Sequence, residues 1–142
     1  MPQLASLVDG EPDLIANLAN LAAALRQGID AASWVGFYRS HGAELVLGPF
    51  QGKVACVRIA VGRGVCGTAA AERRTVIVPD VAEFPGHIAC DPDSRSEIVV
   101  PVVRGGELLG VLDVDSDRLA AFDQVDADAL AEVARLAASL EW

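Results

Sequence analysis

Two aspartates stand at the end of an apolar segment, residues 107–115. The segment is predicted to be a strand, so Asp113 and Asp115, two residues apart, lie on one face about 6–7 Å from each other. Two ionised carboxylates that share a partly apolar site are costly unless a cation lies between them. The pair therefore indicates either a site for a cationic ligand or a strand that ends in solvent at residues 115–117, and the pattern alone favours neither.

A second candidate feature is aromatic. Trp34, Gly36 and Tyr38 are alternate residues of a predicted strand and therefore lie on the same face. Two aromatic rings beside a glycine would leave a notch that suits a thioether, methyl or ammonium group. Filling of an ordinary hydrophobic core is the simpler interpretation of the same residues, and the pattern taken alone favours it.

The chain has three cysteines, which differ in their surroundings. Cys90 falls in a predicted loop, three residues after His87, and is a candidate for an activated thiolate, with incidental exposure as the alternative. Cys66 lies between a glycine-rich loop and a predicted helix start, where amide dipoles would lower the pKa of its thiol. Cys56 is predicted to lie on a strand and to be buried.

The spacing of these residues argues against a structural metal site. The sequence contains no CxxC or HxxxH pair, so neither structural zinc nor another resident metal is expected. Gly62 and Gly64 form a single GxG, but the chain lacks the GxxxxGK[ST] pattern of a phosphate-binding loop. A phosphate site is therefore only weakly indicated.

Length and charge limit the function classes. The chain has 142 residues, enough for one compact domain with its own core. Hydrophobic residues make up 52% and mean hydropathy is +0.36, while 11 basic against 20 acidic residues give a net charge of −9. This charge disfavours binding to nucleic acid and to anionic membranes. No apolar run approaches the roughly 18 residues of a membrane span and residues 1–13 lack a secretory signal, so a cytoplasmic protein with reduced thiols is expected.

The elements that must position these residues follow from periodicity and turn signals. Apolar residues at helical spacing predict one domain with an N-terminal helix at about 11–27 and a C-terminal helix at about 123–140, begun by Asp123 as N-cap. Sheet and loops are predicted over about 33–115, with a short helix at 68–72 and a long loop at 80–96. The fold class is therefore α+β with a mainly antiparallel sheet. Its predicted strands are residues 34–38, 44–47, 54–59, 75–78, 97–103 and 107–115.

Six blocks of the sequence together resemble one family, the GAF-domain free methionine-(R)-sulfoxide reductases. The blocks occur in the family's order and at its spacing, within a match that runs from about Asn17 to Ala138. The three cysteines distinguish this family from GAF domains that bind cyclic nucleotides or tetrapyrroles. The blocks are residues 34–38, 47–53, 62–69, 86–91, 96–99 and 110–116.

The resemblance implies a role for each matching residue. Cys90 corresponds to the catalytic cysteine, Cys56 to the main resolving cysteine and Cys66 to a third cysteine whose role varies within the family. The resemblance also implies a single GAF domain, a homodimer, thioredoxin as reductant and no cofactor. The substrate-pocket residues that it implies are Trp34, Tyr38, Glu97, Asp113 and Asp115.

The implied reaction is reduction of free methionine-(R)-sulfoxide to methionine. The Cys90 thiolate would attack the sulfoxide sulfur while Glu97 or Asp113 supplies a proton, and the resulting sulfenic acid would condense with Cys56. Two other classes stay open at this point, a GAF sensor that holds a small ligand without turnover and a dimerisation module. Consumption of NADPH with thioredoxin, its reductase and the sulfoxide distinguishes the enzyme from both.

Overall fold

The computed structural model describes residues 2–88 and 91–142. Cys90, the expected nucleophile, lies outside the described residues, and so does every prediction about its surroundings. Four α-helices, one short 3₁₀ helix (Val81–Glu83) and six strands are described. The α-helices are α1 (Pro2–Val8), α2 (Leu14–Gly28), α3 (Gly64–Glu72) and α4 (Gln124–Ala138), and the strands are β1 (Trp34–His41), β2 (Glu44–Gln51), β3 (Arg58–Ala60), β4 (Val76–Val78), β5 (Ser96–Arg104) and β6 (Glu107–Ser116).

The strands form one six-stranded sheet in the order β3-β2-β1-β6-β5-β4. Every neighbouring pair is antiparallel, so the predicted α+β class with a mainly antiparallel sheet is confirmed. The hairpin between β5 and β6 turns at Gly105 and Gly106, both with positive φ, which glycine adopts without strain. The three central strands, β1, β6 and β5, carry the residues that the sequence singled out.

One face of the sheet is covered by α2 and α4. The side chain of Asp13 caps α2, and Asp123 forms a reciprocal capping box with Asp126 at the start of α4. Both helices bury an apolar stripe against side chains from alternate positions of the central strands. Fully buried residues of this core include Leu18, Leu21, Phe37, Leu112 and Val133.

The opposite face carries a second core beneath α3. Because side chains alternate along a strand, β1 sends Phe37 into the first core and Trp34 and Tyr38 to the opposite face. On β6, Val114 likewise packs in the first core, while Val111 packs in the second. This alternation places the aromatic and acidic side chains together on the α3 face.

Several boundaries differ from the prediction. The helix α1 was not predicted, and α3 begins at Gly64 rather than Thr68, because the predicted glycine loop includes its first turn. Gly67 packs so closely on the chain that a Cβ there would lie 2.5 Å from the carbonyl oxygen of Ala60. Gly67 therefore permits tight packing of α3, while Gly62 and Gly64 adopt the positive φ of the turn that leads into it, so the backbone accounts for the glycine-rich motif.

The strand predicted at 54–59 is also shorter than expected, since β3 spans only Arg58–Ala60. Cys56 therefore lies in the loop before β3 and is only partly buried, so its predicted position on a strand is wrong. None of the helices formed by the described residues combines the length and the apolar character needed to cross a bilayer.

Candidate functional site

A cavity of about 50 Å³ opens on the α3 face of the sheet. Its floor is formed by β1, β5 and β6, its sides by the first turn of α3 and by the loops before β3 and β5. The predicted site residues that line it are Trp34, Tyr38, Cys66, Glu97, Asp113 and Asp115. The structure therefore brings together six of the eight residues singled out by sequence; Cys56 lies in a bordering loop, and Cys90 is outside the described residues.

The acidic residues meet because three strands are in register. On β6, Asp115 pairs with Trp34 of β1 on one side and with Glu97 of β5 on the other. Asp113, two residues earlier, lies on the same face between Gly36 and Val99. Three carboxylates from two adjacent strands thus face one cavity. Only Asp113 and Asp115 lie close together in the sequence.

The interpretation of this acidic pair as a strand end in solvent is wrong. Asp113 and Glu97 are only 5% and 7% exposed, and β6 continues through Asp115 to Ser116. The Oδ1 atoms of Asp113 and Asp115 are buried and have no hydrogen-bond partner among the described residues. A buried carboxylate oxygen without a donor is costly, so the site favours a ligand that brings hydrogen-bond donors.

Burial and mutual repulsion change the acidity of this cluster. Burial, and then the charges of Asp115 and Glu97, raise the pKa of Asp113 well above its usual value. Burial and the charge of Glu97 likewise raise the pKa of Asp115. Asp113 and Asp115 therefore keep their protons to higher pH than ordinary aspartates, which favours a role as general acid.

The expected effect of the α3 dipole on Cys66 is overturned. Cys66 lies in the first turn of α3, but it is 4% exposed and its thiol donates a hydrogen bond to Oε2 of Glu97 at a sulfur–oxygen distance of 3.9 Å. Burial, followed by the charges of Asp113 and Glu97, raises the pKa of the thiol instead of lowering it. Desolvation and three nearby acids outweigh the partial positive charge of a helix terminus. Cys66 is a free thiol.

The aromatic notch expected above Gly36 is not open. The Trp34 ring itself covers this glycine, because a Cβ on Gly36 would lie 2.4 Å from the ring and 2.5 Å from Cβ of Phe50. Trp34 stacks between Phe50 and Tyr38, with ring centroids 5.3 Å and 6.1 Å away. The glycine therefore admits the indole, which becomes a wall of the cavity. Phe50, which supports that wall, was missed by the sequence analysis.

Trp34 and Tyr38 also hold the loop that carries Cys56. The indole Nε1 of Trp34 donates to the carbonyl of Lys53 at 2.9 Å, and the Tyr38 hydroxyl donates to the carbonyl of Cys56 at 3.0 Å. Cys56 is disulfide-bonded in this structure, in contrast to Cys66. The loop that carries Cys56 is thus fixed from the floor of the cavity.

Further residues that line the cavity come from loops, where no helix or strand periodicity marks them. His87 places Nε2 3.9 Å from Oε1 of Glu97, with a side chain that is 17% exposed. Val54 and Ile88 are exposed apolar side chains that also line the cavity. Among the described residues, no lysine or arginine forms an ion pair with the three carboxylates.

Comparisons with known proteins agree with this arrangement. The family described as GAF domain matches residues 10–140. The GAF domain-containing protein A of Dictyostelium discoideum is 53% identical over 96% of this chain and 86% of its own length. The free methionine-R-sulfoxide reductase of Escherichia coli is 48% identical over 90% of this chain and 78% of its own.

A solved structure extends the comparison to the fold. The free methionine-R-sulfoxide reductase of Neisseria meningitidis, solved in complex with its substrate, superposes with a TM-score of 0.93. It is 52% identical and the match covers 96% of this chain and 83% of the other. These matches, together with the acidic cavity and the indole wall, show that the chain belongs to the GAF-domain family of free methionine-R-sulfoxide reductases.

Proposed function

We propose that this protein reduces free methionine-(R)-sulfoxide to methionine, using its cysteines as the source of electrons. The observation that carries the proposal is the cluster of Glu97, Asp113 and Asp115 beside the Trp34 ring. Two buried carboxylate oxygens there lack donors, and an α-ammonium group supplies three. Membership of a family that includes named free methionine-R-sulfoxide reductases supports the same substrate.

The cavity selects the free amino acid through its charge. The α-ammonium would lie against Asp113 and Asp115 in charge-assisted hydrogen bonds, and the S-methyl group would pack on the indole of Trp34. A methionine residue within a peptide offers a neutral amide instead and leaves the carboxylates without a cation.

The redox step is assigned to Cys90. Its thiolate attacks the sulfoxide sulfur while Glu97 or Asp113 gives a proton to the oxygen, and the oxygen passes to Cys90 as methionine leaves. Cys90 is then a sulfenic acid and the sulfoxide sulfur has gained two electrons. The thiol of Cys56 condenses with this sulfenic acid, which forms a disulfide and releases water. The disulfide-bonded state of Cys56 and its tether to Tyr38 support this role.

The cycle closes when an external dithiol reduces the disulfide. Thioredoxin is the proposed electron donor, because a protein dithiol of low reduction potential exchanges with such a disulfide through a mixed-disulfide intermediate. A cytoplasmic location and a homodimer complete the proposal. The homodimer is what the family resemblance implies, and the cytoplasmic location is the expectation from the sequence pattern.

The test measures NADPH consumption with thioredoxin, thioredoxin reductase and free methionine-(R)-sulfoxide. We expect turnover by the wild type and none by Cys90→Ser, which should keep the wild-type melting temperature. Cys56→Ala should release about one methionine per chain and then stall, unless Cys66 replaces it, in which case the stall appears in the Cys56→Ala/Cys66→Ala variant. Ligand-induced stabilisation without turnover would instead identify a sensor.

A further inference from the structure

A second property of the cavity concerns Cys66, for which the proposed reaction has no fixed use. One donor atom each from Cys66, Glu97 and Asp113 lie within 4.8 Å of one another, and all three side chains are buried. The Cys66 sulfur lies 3.9 Å from Oε2 of Glu97. The three residues come from α3, β5 and β6, so their sequence spacing resembles no metal motif.

We propose that Cys66, Glu97 and Asp113 form an inhibitory binding site for Zn²⁺, in which the metal occupies the place of the substrate ammonium. Zinc accepts thiolate sulfur and carboxylate oxygen together, at distances of about 2.3 Å and 2.0–2.2 Å. Tetrahedral coordination with those distances requires sulfur and oxygen about 3.5 Å apart and two oxygens about 3.3 Å apart. The sulfur–oxygen separation of 3.9 Å between Cys66 and Glu97 thus needs to shorten by about 0.4 Å, and the other two separations by no more than about 1.5 Å.

An independent observation also indicates a missing cationic ligand. The Oδ1 atom of Asp113 is buried without a hydrogen-bond partner, and its side chain lines the cavity. No described lysine or arginine forms an ion pair with this cluster. Its one ion-pair contact among the described residues is with Nε2 of His87, which lies 3.9 Å from Oε1 of Glu97. A void of about 50 Å³ has room for a metal ion with one or two waters.

Inhibition follows from the shared ligands and rests on the proposed function. In the proposed function the ammonium group binds Asp113 and Asp115, so it shares the carboxylate of Asp113 with Zn²⁺, and the cavity has room for one of the two cations. Bound metal therefore excludes free methionine-(R)-sulfoxide, and the sulfoxide weakens metal binding in return. Zinc also keeps the Cys66 sulfur coordinated, which removes this thiol from exchange with a disulfide.

The binding experiment uses Co²⁺ as a spectroscopic probe for Zn²⁺. In the full-length Cys56→Ser/Cys90→Ser variant, Cys66 is the single remaining thiol. We expect Co²⁺ to produce a near-ultraviolet thiolate-to-cobalt charge-transfer band and visible bands of a four-coordinate ion. Added Zn²⁺ should abolish both at one equivalent. Free methionine-(R)-sulfoxide should raise the apparent Kd for Co²⁺ in proportion to its concentration.

Matched variants assign the ligands. Cys66→Ala, added to that background, should abolish the charge-transfer band, and Glu97→Gln should weaken binding by at least the 10–100-fold typical of a disturbed ligand environment. Asp117→Asn changes an exposed carboxylate directly after β6 and should leave the Kd for Co²⁺ unchanged. Thermal unfolding of each variant verifies that it is folded before titration.

The outcomes separate this inference from the proposed function. Absence of the band, or an unchanged Kd in both Cys66→Ala and Glu97→Gln, overturns the metal site whatever the reductase activity. A band that depends on Cys66 but ignores the sulfoxide overturns the inhibitory role, and failure of the sulfoxide to bind the metal-free protein overturns the proposed substrate instead.

Discussion

The hydroxyl of Tyr38 donates a hydrogen bond to the main-chain carbonyl of Cys56, 18 residues further along the chain. Trp34, on the same face of β1, donates in the same way to Lys53. A rigid central strand therefore holds the irregular loop that carries the proposed resolving cysteine. Trp34 and Tyr38 therefore have two structural roles, since their rings line the cavity and their polar atoms hold the loop.

Removing the hydroxyl in Tyr38→Phe tests this tether. The ring and its stacking on Trp34 remain, while one partly buried hydrogen bond is lost. We expect the free energy of unfolding to fall by about 0.5–1.5 kcal/mol in urea titrations. Steady-state turnover with thioredoxin should fall more than the single-turnover rate of methionine formation, because the loop positions the second thiol. Equal losses in the two rates would contradict a role in resolution.

The raised pKa values of Asp113 and Asp115 predict a pH dependence of stability. In the unfolded chain these groups titrate near the ordinary value of 3.8, whereas in the native state they keep their protons to higher pH. The native state is stabilised because it keeps these protons. This contribution to the free energy of unfolding is fully present below about pH 4 and is lost as the pH rises through the native pKa values.

Asp113→Asn should reduce this loss, since the amide does not ionise. Urea unfolding from pH 4 to pH 8 should show the variant gaining up to about 1.4 kcal/mol on the wild type per pH unit within the window. The exposed Asp117→Asn serves as control and should follow the wild-type curve. A difference between Asp113→Asn and wild type that is independent of pH would contradict the assignment.

Gly36→Ala tests the packing of the indole wall. The new methyl group would stand 2.4 Å from the Trp34 ring and 2.5 Å from Cβ of Phe50, so the ring must move. We expect destabilisation of about 1–3 kcal/mol, altered tryptophan fluorescence and a raised KM. Gly28→Ala is the matched control, because a Cβ there meets nothing within 4 Å, and it should be neutral or stabilising by up to about 1 kcal/mol. Wild-type fluorescence and KM in Gly36→Ala would be inconsistent with this packing.

The fold class and the site face could be predicted from sequence because both follow from side-chain alternation. Trp34 and Tyr38 share a face with Asp113 and Asp115 once β1 and β6 are neighbours. Strand order was not predicted independently, since it depends on tertiary pairing. Glu97 entered only through the family resemblance: its partner on the sheet is 18 residues away at Asp115, and no local pattern links them.

The errors have a common physical origin. Cys66 was assigned from its helix terminus, but burial among acids decides its pKa. The notch at Gly36 was inferred from a missing side chain, but a neighbouring indole fills the space. The local sequence indicates the conformation and chemical type of a residue and its near neighbours. Desolvation and packing depend instead on segments that are distant in sequence and that the fold brings together.

The choice between a free and a blocked substrate tests the acidic site most directly. Asp115 faces Trp34 and Glu97 in register, and its Oδ1 has no described donor, so it is proposed to bind the α-ammonium. For the wild type, kcat/KM should be far higher with free methionine-(R)-sulfoxide than with its N-acetyl derivative, whose amide nitrogen is neutral. Preference over the free S epimer is expected from the family alone.

Asp115→Asn should lower kcat/KM for the free R sulfoxide by about 10–150-fold, the equivalent of a charge-assisted hydrogen bond of about 1.5–3 kcal/mol. It should affect the N-acetyl derivative much less, so the ratio between the two substrates narrows. Asp117→Asn, an exposed neighbour, should keep the wild-type ratio. Equal losses on both substrates would mean that Asp115 supports the reaction without contacting the ammonium, since a group that binds that cation is used by the free amino acid only.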